Sequence, residues 1–241
     1  MRIGTWNLRL CPTSTSETGR AISAWLDDQK ADLWLLTEVH RDWHPRGGSI
    51  AVSPPRSFDP EAPKRWAGIE TRLPLTPVPA AGDHPGEEGL ALARVEVDGR
   101  QVLIACSVLP WKGAGEYWHG LPEGQIQQFA FVLDHHVERI RAERRDDEPL
   151  VWGGDFNQPL RRPIHGGTVT GMEALLAALD SLGLTALTAD ADHLKGLMRS
   201  IDHIAVSRHF TGDPAKTHLP LRTNGKDLSD HAAYTADVVL T

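Results

Sequence analysis

Five short polar clusters, each at the edge of an apolar run, are spread along nearly the whole of this chain. The first three are Ile3-Gly4-Thr5-Trp6-Asn7, Leu35-Leu36-Thr37-Glu38 and Val151-Trp152-Gly153-Gly154-Asp155-Phe156-Asn157; Ser200-Ile201-Asp202-His203 and Ser229-Asp230-His231 complete the set. A short apolar run that stops abruptly in polar residues reads as a buried strand reaching its rim. Strands lying side by side bring sequence-distant rims together, so a single edge would gather four carboxylates, two amides and a histidine.

That set of groups suits a divalent metal and a phosphate. Mg²⁺ is a hard ion that keeps several waters and is held by one or two carboxylates plus phosphate oxygens. Hydrolysis of a phosphodiester requires three things: a proton taken from water, a stabilised leaving oxygen, and neutralised charge at phosphorus. Carboxylates, a metal and an imidazole meet all three. A zinc cage is not suggested, because there is no His-x-x-x-His pair near a Glu and no close Cys/His cluster in the sequence. Oxygen ligands point to Mg²⁺ or Mn²⁺. No Gly-x-x-x-x-Gly-Lys is present either, which removes a P-loop.

Between the clusters, strand and helix patterns alternate. Residues 2–8 alternate as a strand, and residues 18–29 place Ile22, Trp25 and Leu26 on one helical face. Residues 33–36 read as a short buried strand delivering Glu38. A proline-punctuated loop region follows over residues 40–88, with strands expected at 49–53 and 66–71. Asp98-Gly99 joins strands 89–97 and 100–107 as a type I′ hairpin. Residues 123–144 carry Ile126, Phe129, Leu133, Val137 and Ile140 at helical spacing, with His135 and His136 expected on the exposed side. A strand at 150–152, a helix at 172–182, and strands at 201–206 and 231–240 complete the pattern.

At 241 residues and 40% hydrophobic content the chain can bury a full core, and a single domain over residues 1–241 is expected. A formal net charge of −7 gives no bulk attraction to nucleic acid, so any phosphate contacts must be local. Candidate basic contacts are Arg9, residues 40–46, Lys64, Arg65, Arg161, Arg162 and Lys195, each near a cluster or beside a tryptophan. Two cysteines, Cys11 and Cys106, form no paired framework and suggest a reducing, cytoplasmic location. No apolar run approaches the ~20 residues that span a bilayer, the strand pattern starting at Arg2 leaves no room for a signal peptide, and nothing requires an oligomer.

At these clusters the chain resembles the endonuclease/exonuclease/phosphatase superfamily, the deoxyribonuclease I-like proteins. The resemblance rests on an ordered set from Asn7 to His231: Trp-Asn, Leu-Leu-Thr-Glu, Gly-Asp-Phe-Asn, Ile-Asp-His and a near-terminal Ser-Asp-His. It implies an α/β fold, a four-layer sandwich of two packed mixed β-sheets flanked by helices. It also implies Glu38 as principal metal ligand, with Asn7 beside it and Asp230 contributing directly or through water. Asp155 would orient or deprotonate the attacking water, and Asn157 would hold that water or a phosphate oxygen. His231 would meet the phosphate as donor or base, steered by Asp202, since a carboxylate partner fixes the tautomer and raises the pKa.

Two positions depart from the family pattern. Many relatives place a His or Tyr donor before Leu-Pro, where this chain has Val108. Abasic-site enzymes often carry an acidic residue two positions after the first Asn, where this chain has Arg9. The loop Trp111-Lys112-Gly113-Ala114-Gly115-Glu116-Tyr117-Trp118-His119 mixes cation, phenol and imidazole, so Lys112, Tyr117 or His119 is a candidate to contact the phosphate. The leading expectation is a metal-dependent nuclease acting on DNA or RNA. The alternatives are a phosphatase or phospholipid/inositol phosphate phosphodiesterase, and an impaired fold-mate that binds a partner.

Overall fold

The inward and outward alternation of side chains along the strands builds the molecule. In the computed structural model, residues 1–10, 13–43, 48–164, 166–193, 198–221, 225 and 227–241 are described. The expectations that named Cys11, His44, Arg46 and Lys195 lie outside the described residues. One sheet runs β11-β13-β1-β2-β4-β3, with β12 also on β13; the other runs β5-β6-β7-β8-β10-β9. In the first sheet the strands are β1 (Arg2–Asn7), β2 (Leu33–His40), β3 (Ser49–Val52), β4 (Lys64–Thr71), β11 (Phe210–Gly212), β12 (Lys216–His218) and β13 (Ala233–Leu240). The second is made of β5 (Leu75–Val78), β6 (Leu90–Val97), β7 (Arg100–Val108), β8 (Leu150–Asp155), β9 (Leu184–Ala186) and β10 (Asp202–Ser207). Both sheets are mixed: β1 runs parallel to β2, and β7 parallel to β8, among antiparallel neighbours.

Three apolar clusters show the layers. Ile3, Leu33 and Leu35 of one sheet meet Ile104, Val151 and Ile204 of the other in the middle. On the outer face of the first sheet, Trp6, Trp34 and Leu36 pack on Ile22 and Leu26 of α1 (Glu17–Asp28). Trp152 and Leu103 face outward on the second sheet, against Phe129, Leu133 and Ile140 of α2 (Gln125–Glu143) and Leu175 of α3 (Val169–Ser181). Helix, sheet, sheet and helices thus stack in the expected four layers.

The local expectations meet the structure with specific differences. The Asp98-Gly99 turn has φ of 51° and 78°, the pair of positive values a type I′ turn requires, and Val97 pairs with Arg100. Helix α3 begins earlier than expected, because Thr168 caps it by accepting from Gly171 N. β5, inside the proline-rich stretch, is an edge strand, where Pro77 removes a donor at little cost.

His135 and His136 correct the expectation of exposure. His136 is fully buried and its Nε2 lies 2.8 Å from Gly86 O, while His135 Nε2 lies 2.6 Å from Glu87 Oε2. A short 3₁₀ helix, Pro85–Gly89, covers that side of α2 with polar groups, so the apolar pattern alone could not show the contact. Among the described residues no helix is long and apolar enough to cross a membrane.

Candidate active site

Strand alternation delivers three of the polar groups to one place. Ile3, Val151 and Ile204 all point between the sheets, so by the period of two Asn7, Asp155 and Asp202 do as well. β10 pairs with β8 so that Asp202 stands opposite Asp155. Gly153 lets the sheets close beneath them: a Cβ there would lie 2.2 Å from His203 O and 2.6 Å from a Leu35 methyl.

Glu38 reaches the same rim by breaking the alternation. Trp34 and Leu36 face the outer layer, and Glu38 would follow them, but its φ is +54°. After it the parity is reversed, with Val39 in the outer cluster. An L-residue held in this left-handed region stores on the order of 1–3 kcal/mol of strain, a cost found where position matters more than stability.

The result is a connected polar centre. Asn7 Nδ2 donates to Glu38 Oε1 at 3.1 Å and to Asp155 Oδ2 at 3.0 Å. Its Oδ1 accepts from Arg9 N at 2.8 Å, so the amide is oriented by groups on both sides. Asp155 Oδ1 accepts from Asn157 N at 3.0 Å, and Asn157 Nδ2 donates to Leu109 O at 2.9 Å. His231 Nδ1 lies 2.8 Å from Asp202 Oδ2. Ser229 locks the third segment on, donating to Asn7 O at 2.7 Å and accepting from His231 N at 3.1 Å. Trp6 Nε1 donates to His231 O at 3.2 Å.

Electrostatics follow from burial and from crowded charges. Burial pushes the Glu38 carboxyl above the ordinary range; the Asn7 bond and the His231 and Arg56 charges oppose this, and Asp230 adds to it. Asp155 is raised by burial first and by the Asp202 carboxylate second, against His231 and Asn7. Burial pulls His231 down, but Asp202, Asp155 and Asp230 outweigh it and raise the imidazole to about 10. Around neutral pH His231 therefore carries its proton, whereas Asp155 is poised to accept one.

The cation site is tested by its own donors. Desolvation of the half-buried Glu38 and the nearby Asp230 charge both disfavour its ionised form, a frustration that a hard dication would relieve. The residues fit such an ion, with Glu38 and Asp230 as carboxylates and Asn7 adjoining. Asp230 is exposed and 3.6 Å from Arg9 Nε, a surface pair contributing little by itself.

The remaining candidates stand further out. Lys112 is exposed on its loop; His119 is exposed too, its N–H donating to Ser57 Oγ at 2.8 Å and its ring 6.1 Å from Phe58. Trp118 is buried and donates to Pro85 O at 2.6 Å. Val108 is buried opposite Asp155, so that register position presents a methyl group where relatives place a donor. Sequence reasoning missed Arg56, which sits 4.9 Å over the Trp66 ring and whose charge acts on Glu38. The cation in Pro54-Pro55-Arg56 was its only local sign. His193, beside His231 at 5.2 Å between ring centroids, was also missed, since no motif surrounds it.

A file of rings leads away from the centre. Register puts Trp66 across from Glu38, between Arg65 and Ala67, which face Val39 and Thr37. Trp66 meets Trp111 at 5.4 Å, Trp111 stacks on Tyr117 at 6.3 Å, and Tyr117 meets Phe58 at 5.4 Å. The outer two rings, Phe58 and Tyr117, are 49% and 44% exposed.

Residues 4–231 match the model of the Endonuclease/Exonuclease/phosphatase family. The chain belongs to that family. Its members hydrolyse phosphoric esters and generally use divalent metals. Among solved structures, an AP endonuclease from Archaeoglobus fulgidus is similar over 98% of each chain, with 16% identity and a TM-score of 0.68. The endonuclease domain of TRAS1, a telomere-specific non-LTR retrotransposon, aligns over 100% of this chain and 99% of its own, at 15% identity and TM-score 0.65. A mannosyl-6-phosphatase of Bacteroides thetaiotaomicron matches over 100% of both chains, at 15% identity and TM-score 0.63. At these identities the likeness establishes the shared deoxyribonuclease I-like fold. No curated protein matches the chain by sequence.

Proposed function

We propose that this protein is a Mg²⁺- or Mn²⁺-dependent phosphodiesterase that cleaves nucleic acid. The observation that carries the reading is the Asn7 amide bridging Glu38 and Asp155, which ties a metal-type carboxylate to a base-type carboxylate in one buried centre. A hard dication bound by Glu38 and Asp230 supplies charge neutralisation at the phosphate. Asp155, held by Asn7 and by Asn157 N, takes the proton of the attacking water. His231, kept protonated by Asp202, donates to a phosphoryl oxygen and so serves in place of the donor absent at Val108. Asn157 positions the water or a phosphate oxygen.

Nucleic acid is favoured over a small phosphomonoester by the ring file ending in Phe58 and Tyr117, because half-exposed aromatic faces beside a phosphate site suit stacked bases. Arg9, Lys112 and His119 flank the centre as phosphate contacts. The phosphatase reading keeps support from the mannosyl-6-phosphatase likeness. We place the activity in one domain over residues 1–241, acting as a monomer, and the buried, unpaired Cys106 suits the cytoplasm.

Cleavage of plasmid, oligodeoxynucleotide and oligoribonucleotide with Mg²⁺ or Mn²⁺, by the natural protein and by Glu38→Ala and Asp155→Ala, tests the reading. Loss of turnover in both variants is expected; undiminished cleavage by both refutes it.

A further inference from the structure

Two buried polar atoms beside the Asp202–His231 pair have no partner among the described residues. Asp202 is fully buried and uses Oδ2 for His231, leaving Oδ1 unmatched. His193 is buried as well, and its Nδ1 is unmatched. A buried polar atom that gives up water without gaining a partner destabilises the fold, so two in one spot call for a function. One ligand-capable atom from each of His193, Asp202 and His231 lies within 4.8 Å of the other two. The proposed hydrolysis has no use for His193.

The donor set differs in chemistry from the Glu38 site. Two imidazoles and one carboxylate are poor partners for Mg²⁺, which selects oxygen, and good partners for zinc-like ions. Ligands on a tetrahedral Zn²⁺ at about 2.1 Å stand roughly 3.4 Å apart, so the cluster, now within 4.8 Å, needs to contract by up to about 1.4 Å, a change that side-chain rotation and small backbone shifts supply. Three protein ligands also leave a coordination position open.

We propose that His193, Asp202 and His231 bind a borderline transition-metal dication, Zn²⁺ being the probe of choice, and that its binding silences the hydrolytic site. The ion displaces the His231 proton to solvent and takes His231 from the phosphate and Asp202 from His231, so one binding event removes both donor and steering group. The silencing rests on the phosphodiesterase reading above; the binding does not.

The experiment uses the full chain in excess Mg²⁺. Zn²⁺ is titrated against a chromogenic chelator, Co²⁺ is followed by its visible d–d absorption, and hydrolysis of bis(p-nitrophenyl) phosphate is read in parallel. One equivalent of Zn²⁺ is expected on the natural protein, with His193→Gln weakening it about tenfold or more. Relative to its own Mg²⁺ rate, that variant should need about tenfold more Zn²⁺ for half inhibition. Glu38→Gln should keep the Zn²⁺ equivalent, separating it from the hard-cation site. No stoichiometric Zn²⁺ on the natural protein, or equal affinity in His193→Gln, overturns the site. Zn²⁺ bound through His193 with the Mg²⁺ rate unchanged overturns the silencing. If the protein hydrolyses no phosphodiester at all, the reading of the catalytic centre fails, and the chelator and Co²⁺ measurements still decide whether the metal site exists.

Discussion

Among the described residues two histidines meet a carboxylate in buried surroundings, His135 with Glu87 and His231 with Asp202, and the two pairs are built to opposite ends. At the 3₁₀ helix, Glu87 is saturated: Oε1 accepts from Ala81 N at 2.9 Å and Arg139 Nε at 3.3 Å, and Oε2 meets His135 Nε2 at 2.6 Å. Arg139 in turn bonds Glu143 and Pro79 O, so the Glu87 carboxylate has its charge and hydrogen bonds balanced, while His136 Nδ1 behind it has no partner among the described residues. At the rim, among the described residues, Asp202 keeps one oxygen unmatched, Asp155 and Glu38 are raised by burial, and no arginine is bonded to either. A saturated cluster stabilises the fold, whereas an unsaturated one holds affinity in reserve for a ligand. The chemistry of the residues is alike in the two places; the supply of partners separates them.

Removing a group from each cluster breaks the comparison most directly. Asp155→Asn should lower the Mg²⁺-dependent turnover by roughly a thousandfold or more while leaving the melting temperature unchanged or higher, because a buried charge is removed. Steady-state hydrolysis beside calorimetry checks this, and a strongly destabilised but active variant would contradict it. Asp202→Asn should cost roughly a hundredfold to ten-thousandfold in rate. It also withdraws the carboxylate that raises His231, so the alkaline limb of the pH–rate profile should move to lower pH. The opposite is expected at the saturated cluster. Glu87→Ala should destabilise by about 3 kcal/mol, by urea unfolding, with activity per folded molecule retained.

Acid sharpens the contrast. Burial lowers His136 to about 3, below its unfolded value near 6.5. The folded state therefore binds fewer protons than the unfolded chain, so His136 costs no stability above about pH 6.5 and takes stability away as pH falls toward 3. His231 has the reverse sign: raised to about 10, it adds stability that is complete below about pH 6.5 and lost as pH rises through 10. Between pH 7 and pH 4 the urea midpoint of the natural protein should fall more, or rise less, than that of His136→Asn. The smallest effect is expected at the ring file, where Phe58→Ala or Tyr117→Ala should raise KM for a single-stranded oligonucleotide roughly fivefold, about 1 kcal/mol, without changing bis(p-nitrophenyl) phosphate hydrolysis. An equal loss on both substrates would remove the stacking role.

Much of the candidate site was legible because the strand rims are written in local pattern. Asn7, Asp155 and Asp202 continue apolar files of period two, so the same rule that buries Ile3, Val151 and Ile204 carries their polar neighbours to a shared edge. The Asp98-Gly99 hairpin was equally local, since two positive φ values need those residue types. His136 was misread because a helix can bury a second, polar face when another element brings carbonyls and carboxylates to it. His193 and His231 stand in no common motif, yet their rings meet, because the segments that precede β10 and β13 return from different parts of the chain to the same rim.

By itself, then, the amino-acid sequence determined the pattern of strands and helices and the strands' polar ends, because each depends on spacing along a single segment, and the order of those ends carried the family resemblance that implied the layered α/β class. Only the tertiary structure decided that Asn7 turns its amide nitrogen to both carboxylates, that Glu38 leaves the strand alternation, and that His193 joins the Asp202–His231 pair. Those depend on distances between segments up to 148 residues apart, which packing of the two sheets sets and no local pattern encodes.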